Sequence, residues 1–190
     1  MTDEELKALV ASLAISQKET VAAQKETDKQ LKETSKQLKE LGKQIGGLGN
    51  KFGSFTEGMA FPSMKKILRE HFGMSAIVTN LWSKHNGRSL ELDVLAYSNG
   101  SHKIAYIVEV KSHLKEEGLQ QMLDILRDFP EFFTDHADKQ LYGILAAVNV
   151  PDNLRIKVLK SGIYLANIRD EHFELQVPED FQARNFQAIH

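Results

Sequence analysis

A seven-residue repeat runs through the first part of this chain and constrains it more than any other feature. One seam of the repeat is Leu6, Leu13, Thr20, Thr27, Thr34, Leu41, Leu48 and Phe55. A second follows four residues later, at Val10, Gln17, Gln24, Leu31, Leu38, Ile45 and Phe52. This 3-4 alternation is that of a coiled-coil helix, and residues 1–54 contain no proline to interrupt it. The spacing predicts a helical segment over 1–54 that joins copies of the chain into a homo-oligomer or docks a partner. Polar groups at Gln17, Thr20, Gln24, Thr27 and Thr34 weaken the middle of the seam. Glycines at 42, 46, 47, 49 and 53 each cost about 1 kcal/mol in a helix, which predicts a hinge over 42–53. The stretch "GGLGNKFG" has neither the GxGxxG spacing nor a Gly-Lys-Ser/Thr ending, so it does not read as a phosphate cradle.

From Phe55 to His190 the pattern changes to alternating helix and strand, which predicts a second, α/β domain over 55–190. "MKKILREHFG" reads as a helix ending at Gly73, with Pro62 expected to kink or restart the helix before it. "SAIVTNLW" reads as a strand. Two further strands near 89–97 and 103–111 are joined by the turn "SNGS". Leu119, Met122, Leu123, Leu126, Phe129 and Phe133 then follow a helical stripe ending around Thr134. "QLYGILAAV" reads as a buried strand, "PDNLRIKVLKSG" as a helix and "IYLANI" as a last strand. The expected order is αβββαβαβ.

Composition narrows the chemistry. The chain has no cysteine, which excludes disulfides, thiolate metal sites and cysteine nucleophiles. No apolar run reaches the roughly 18 residues of a membrane span, and "MTDEELKALV" has no cationic start; the expectation is a cytoplasmic protein without membrane partners. A net charge of -2 supplies no global field for nucleic acid, so any such contact depends on local basic groups. The seven histidines form no His-x-x-x-His pair and read as ordinary surface or core side chains.

Within the two strands of "LELDVLAYSNGSHKIAYIVEVKSHL" lie Asp93, Glu109 and Lys111, three charges in otherwise apolar runs. Side chains alternate along a strand, so Glu109 and Lys111 share a face with Ala105 and Ile107. On the neighbouring strand Glu91, Asp93, Leu95 and Tyr97 are expected to share one face, and folding about the turn brings Asp93 towards Glu109. Two close carboxylates repel unless a cation compensates. Mg²⁺ (or Mn²⁺) is the natural compensator: it takes oxygen ligands and serves phosphodiester hydrolysis. Lys111 would stabilise the developing phosphorane charge or help deprotonate a water.

"LELDVLA" followed, sixteen residues after Asp93, by "VEVK" resembles the D…ExK signature of the PD-(D/E)XK nuclease superfamily, and the αβββαβ order resembles its restriction-endonuclease-like core with a mixed sheet. The chain is also similar to an uncharacterised family that joins an N-terminal coiled coil to such a domain. The resemblance implies a metal-dependent nuclease acting on DNA. It implies Asp93, Glu109 and Lys111 as the catalytic set, the Val110 carbonyl as a further metal ligand beside Asp93 and Glu109, and Glu57 as the acid supplied by the first core helix. Two departures stand out: Leu92 occupies the place of the motif's proline, and neither Gln120 nor Gln121 is followed four residues later by the tyrosine of the RecB-like branch.

The same residues also admit a bland reading, a salt bridge at strand ends in a nuclease-like fold kept as a scaffold or regulatory module that works through its coiled coil. Lys65, Lys66, Arg69, Lys84 and Arg88 read equally as phosphate contacts or as a solvated face, and His113 and Lys115 have weaker claims of that kind. Trp82 and the phenylalanines at 129, 132 and 133 read as core packing rather than base-stacking groups.

Overall fold

The computed structural model describes residues 3–100, 103–169 and 172–187; within its first helix the side chains of residues 5, 7–12, 14, 15, 42–52, 54 and 55 lie outside the description. The chain divides into two compact units, Met1–Asn50 and Lys51–His190.

The first unit is helical and belongs to helix α1, Asp3–Lys66. Leu6, Leu13, Leu31, Leu38 and Leu41 are exposed along it. The seam residues Thr20 and Thr27 turn their hydroxyls onto the carbonyls of Ser16 and Ala23, at 2.9 and 3.0 Å, the back-bonding by which such side chains satisfy themselves in a helix. The seam positions Val10, Ile45, Leu48, Phe52 and Phe55 fall among the side chains that are not described. The glycine-rich stretch expected as a hinge is helical throughout.

The second unit begins with the last turns of α1. Pro62 lies inside the helix and does not restart it. Proline forfeits one bond to the carbonyl four residues back, and here the buried side chains Ala60, Met64 and Leu68 hold the turns on either side against the sheet. A π-helical turn, Ile67–His71, ends α1's path, and Gly73 follows in the left-handed region at φ 68°, as a helix-terminating glycine does.

Six strands follow in one mixed sheet whose spatial order matches the chain order. They are β1 (Ala76–His85), β2 (Arg88–Ser98), β3 (Ile104–His113), β4 (Gln140–Asn149), β5 (Tyr164–Arg169) and β6 (His172–Leu175). β1, β2 and β3 pair antiparallel, β3, β4 and β5 parallel, and β6 returns antiparallel to β5. Asn86 and Gly87 both have positive φ, 48° and 78°, the two-residue geometry that matches strand twist in a tight hairpin; it carries β1 three residues beyond its expected end. Of the stretch "SNGS" expected as a turn, Ser101 lies outside the described residues.

Helix α2 (Glu116–Phe132) links β3 to β4, and α3 (Asp152–Lys160) links β4 to β5. Both crossovers advance in the same direction across the sheet, so their right-handedness puts both helices on one face. Leu119, Met122, Ile125, Leu126 and Phe129 of α2 and Leu154 and Val158 of α3 share a core there with Leu95, Ile107, Leu145 and Leu165. The end of α1 covers the other face, where Ala60, Met64 and Leu68 meet Val94, Ala96, Val108, Val110 and Ile144.

Two glycines record close approaches. A Cβ at Gly143 would lie 2.6 Å from Met122 Cε, so α2 rests directly on β4. Gly162 has φ 76°, and a Cβ there would meet the Arg184 backbone nitrogen at 2.7 Å, beside the hydrogen bond that the Arg184 amide donates to Gly162 O. Left-handed strain and overlap with main chain act together, so Gly162→Ala is expected to lower the free energy of unfolding by about 2–4 kcal/mol in urea titration.

Candidate active site at the strand fork

The β2–β3 ladder runs from Ser98↔Ile104 to Val94↔Val108. Beyond that rung β2 stays with β1 as far as Arg88, and β3 stays with β4 as far as His113. The sheet therefore forks, and the backbone amides at the mouth of the fork need other partners. One candidate carboxylate supplies such a partner: Val110 N–H donates to Asp93 Oδ2 at 2.7 Å.

Glu109 is only 2% exposed. Lys111 Nζ donates to its Oε2 at 3.1 Å, while the lysine itself remains 25% exposed. Burial, followed by the neighbouring Asp93, pushes the Glu109 carboxyl up to about 7, against the opposing pull of Lys111. Desolvation and a like charge each favour the protonated form, so this group sits near the midpoint of its titration at neutral pH.

Asp93 also lines a cavity of about 420 Å³ with Glu57, Phe61 and Met64 of α1, Thr79 and Asn80 of β1, and Val94 and Val110. Glu57 remains solvent-accessible, and partial burial, then Asp93, raise its carboxyl above the usual range while Lys111 opposes them. Asp93 and Lys111 each lie within electrostatic reach of both Glu57 and Glu109.

The donor set is one of hard oxygens. Among the described residues no three His, Asp or Glu side chains are gathered closely enough to hold a metal ion. A set of two carboxylates, Asp93 and Glu109, with the Val110 carbonyl suits Mg²⁺ or Mn²⁺, which need few protein ligands when waters complete the shell. The raised Glu109 is the electrostatic state that a cation would relieve.

Several sequence expectations are corrected. Glu91 and Asp93 do not continue the face of Leu95 and Tyr97: Leu90 and Leu92 pack with Leu95 and Tyr97 in the α2-side core, so the alternation changes phase at Asp93. Trp82 is 60% exposed on β1, not packed in the core. Arg88 is engaged with Asp128 and Glu131 and lies over the Phe132 ring, so it is a structural cation of the β1–β2 end. Lys65, Lys66, Arg69 and Lys84 are exposed, as both of their readings require; Lys115 stands at the N-cap position of α2 without a side-chain capping bond; and His113 stands at the end of β3 opposite Asn149. Asn80, which lines the cavity, was not anticipated; its signal in the sequence is an asparagine, a poor strand former, in the middle of "AIVTNLW".

A family described as "Protein of unknown function (DUF3782)" matches residues 11–85. No curated protein matches the chain. Among solved structures, "Structure of EndoMS-dsDNA2 complex" is similar over 58% of this chain and 45% of that one, with 15% identity and a TM-score of 0.37. "Crystal Structure of Protein of Unknown Function AF1548" is similar over 63% and 59%, at 17% identity and a TM-score of 0.43. A repair endonuclease from Pyrococcus abyssi is similar over 58% and 47%, at 14% identity and a TM-score of 0.37. The chain spans about half the length of these structures. No described helix is long and apolar enough to cross a membrane.

Proposed function

We propose that the fork between β2 and β3 is the active centre of a divalent-metal-dependent phosphodiester hydrolase, a nuclease acting on DNA. The observation that carries this reading is the buried Glu109, pushed up to about 7 beside Asp93 and bridged by Lys111. A strand end built for stability alone gains little from a buried acid set beside a second, partly buried one. Such arrangements are characteristic of sites where charge must be compensated by something bound.

In this reading Asp93, Glu109 and the Val110 carbonyl hold Mg²⁺ or Mn²⁺. The ion, when bound, supplies the positive charge that lets both carboxylates ionise and that polarises a phosphoryl oxygen. Lys111 presents its ammonium at the rim, where it offsets charge developing on the phosphorus oxygens. Glu57, across the cavity, orients the attacking water by hydrogen bonding. Exposed Lys65, Lys66, Arg69 and Lys84 position the DNA backbone without reading sequence. The test is cleavage of plasmid and of single-stranded DNA by the full chain with Mg²⁺ or Mn²⁺, beside the Lys111→Ala variant. Cleavage equal in both, or absent from the native chain, overturns the nuclease and favours the scaffold.

The exposed leucines of α1 support a coiled coil with a second copy of the chain, since a lone helix with this seam has no partner for its apolar side chains. Sedimentation of the full chain is expected to give an oligomeric mass, and Leu31→Asp with Leu38→Asp is expected to reduce it to the monomer. A native chain that sediments as a monomer removes this part of the proposal.

A further inference from the structure

The β1–β2 hairpin keeps one register from end to end, yet its faces exchange midway. Thr79 pairs with Val94 and Leu81 with Leu92, so Asn80 stands opposite Asp93 with no residue inserted on either strand. In a regular ladder Ile77 and Leu81 would share a face, as would Leu92 and Val94. Instead Ile77 and Val94 pack on the α1 side, while Leu81, Leu90 and Leu92 pack on the α2 side. Both strands change phase at the same rung.

That rung holds Asn80 at φ 51°; among the described residues the other non-glycine residue with positive φ, Asn86, belongs to the hairpin turn. A left-handed residue inside a strand rotates the chain that follows it, and asparagine tolerates this conformation better than other residues with a Cβ. Without the rotation, one-sided alternation would place Leu90 and Leu92 on the α1 side and turn Glu91 and Asp93 into the α2-side core. With it, the leucines stay buried, and Asp93 faces the cavity it shares with Glu57 while its carboxylate reaches the Val110 amide.

We infer that Asn80 is a positioning residue: its left-handed backbone, held at the rung opposite Asp93, sets the Asp93 carboxylate in the fork. The role is one of conformation rather than of contact with a reacting group. It predicts that what matters at position 80 is tolerance of positive φ, for which glycine should replace asparagine well and alanine or a β-branched residue poorly. Its importance for activity rests on the proposed active centre, but its effect on geometry does not.

The hydrogen bond from Val110 to Asp93 gives a direct reading. Hydrogen exchange of the Val110 amide is followed by NMR in the native full chain and in Asn80→Val, Asn80→Ala and Asn80→Gly, with the Val108 amide as internal reference. Asn80→Val is expected to speed Val110 exchange about tenfold or more relative to Val108, Asn80→Ala in the same direction by about threefold or more, and Asn80→Gly to stay within about threefold of native. Where Asn80→Val does not fold, the alanine–glycine pair decides. Native-like exchange in the alanine variant, or a glycine variant as fast as it, overturns the assignment. Calorimetric titration with Mn²⁺ is the second reading: binding weakened by Asn80→Ala and restored by Asn80→Gly supports it. A native chain that fails to bind Mn²⁺ overturns the active-centre reading, and the exchange comparison still decides the role of Asn80.

Discussion

Lys111→Ala is expected to lower the rate of metal-dependent DNA cleavage by about 10²- to 10³-fold at neutral pH, with little change in fold. The lysine is partly exposed and anchors to one oxygen of Glu109, so its removal leaves no large cavity. What it removes is a fixed positive charge at the mouth of the fork, where charge develops as the phosphodiester opens. The loss should appear mainly in kcat rather than KM, because an interaction made only in the transition state affects the two unequally. Lys111→Arg should recover little, since a planar guanidinium cannot reproduce a compact ammonium in this space. The readout is initial-rate cleavage of a labelled duplex, with circular dichroism to show that the variants are folded.

Glu109→Gln is expected to abolish metal-dependent cleavage and at the same time to stabilise the protein at alkaline pH. The sign follows from the direction of the shift. The Glu109 carboxyl stands at about 7 in the folded chain against an ordinary value of 4.5, so folding favours its protonated form. Stability associated with that proton is fully present below pH 4.5 and is lost as pH rises through about 7. Glutamine carries no such proton and loses nothing over the same range. In metal-free buffer the unfolding free energy of Glu109→Gln relative to native should therefore rise between pH 4.5 and 8.5, by up to about 3 kcal/mol. Urea denaturation at several pH values checks it; a difference that is flat with pH would show that the carboxyl is not held in its neutral form. A group that destabilises its own fold at working pH is what a functional site, rather than a scaffold, retains.

Much of this architecture was legible because local signals agreed with the tertiary outcome. The alternation through Ile104 to Lys111, the stripe of α2 and the glycines after α1 and α3 each reflect one strong period or one backbone requirement. The charges at 93, 109 and 111 were conspicuous because apolar strands rarely carry them. The rest depends on partners that a local window does not contain. Pro62 taken locally predicts a kink or a restart, but the helix continues through it because buried residues on both sides pack on the sheet. The apolar spacing around Trp82 predicts core packing, yet the phase change at Asn80 leaves it exposed. Arg88 reads equally as a phosphate contact or as part of a solvated face, because its partners Asp128 and Glu131, on α2, lie far along the chain. β6 is only four residues, His172–Leu175, and pairs with β5 through a register no periodicity announces.

The outward turn of Trp82 also decides what light spectroscopy of this protein reports. The chain has one tryptophan, and it stands in solvent on the edge strand, two residues from Asn80. With 60% of its surface exposed, its native emission is expected to lie close to that of a hydrated indole, so heating or denaturant should change its colour little while the core melts. The same placement makes it a selective beacon for whatever settles against β1.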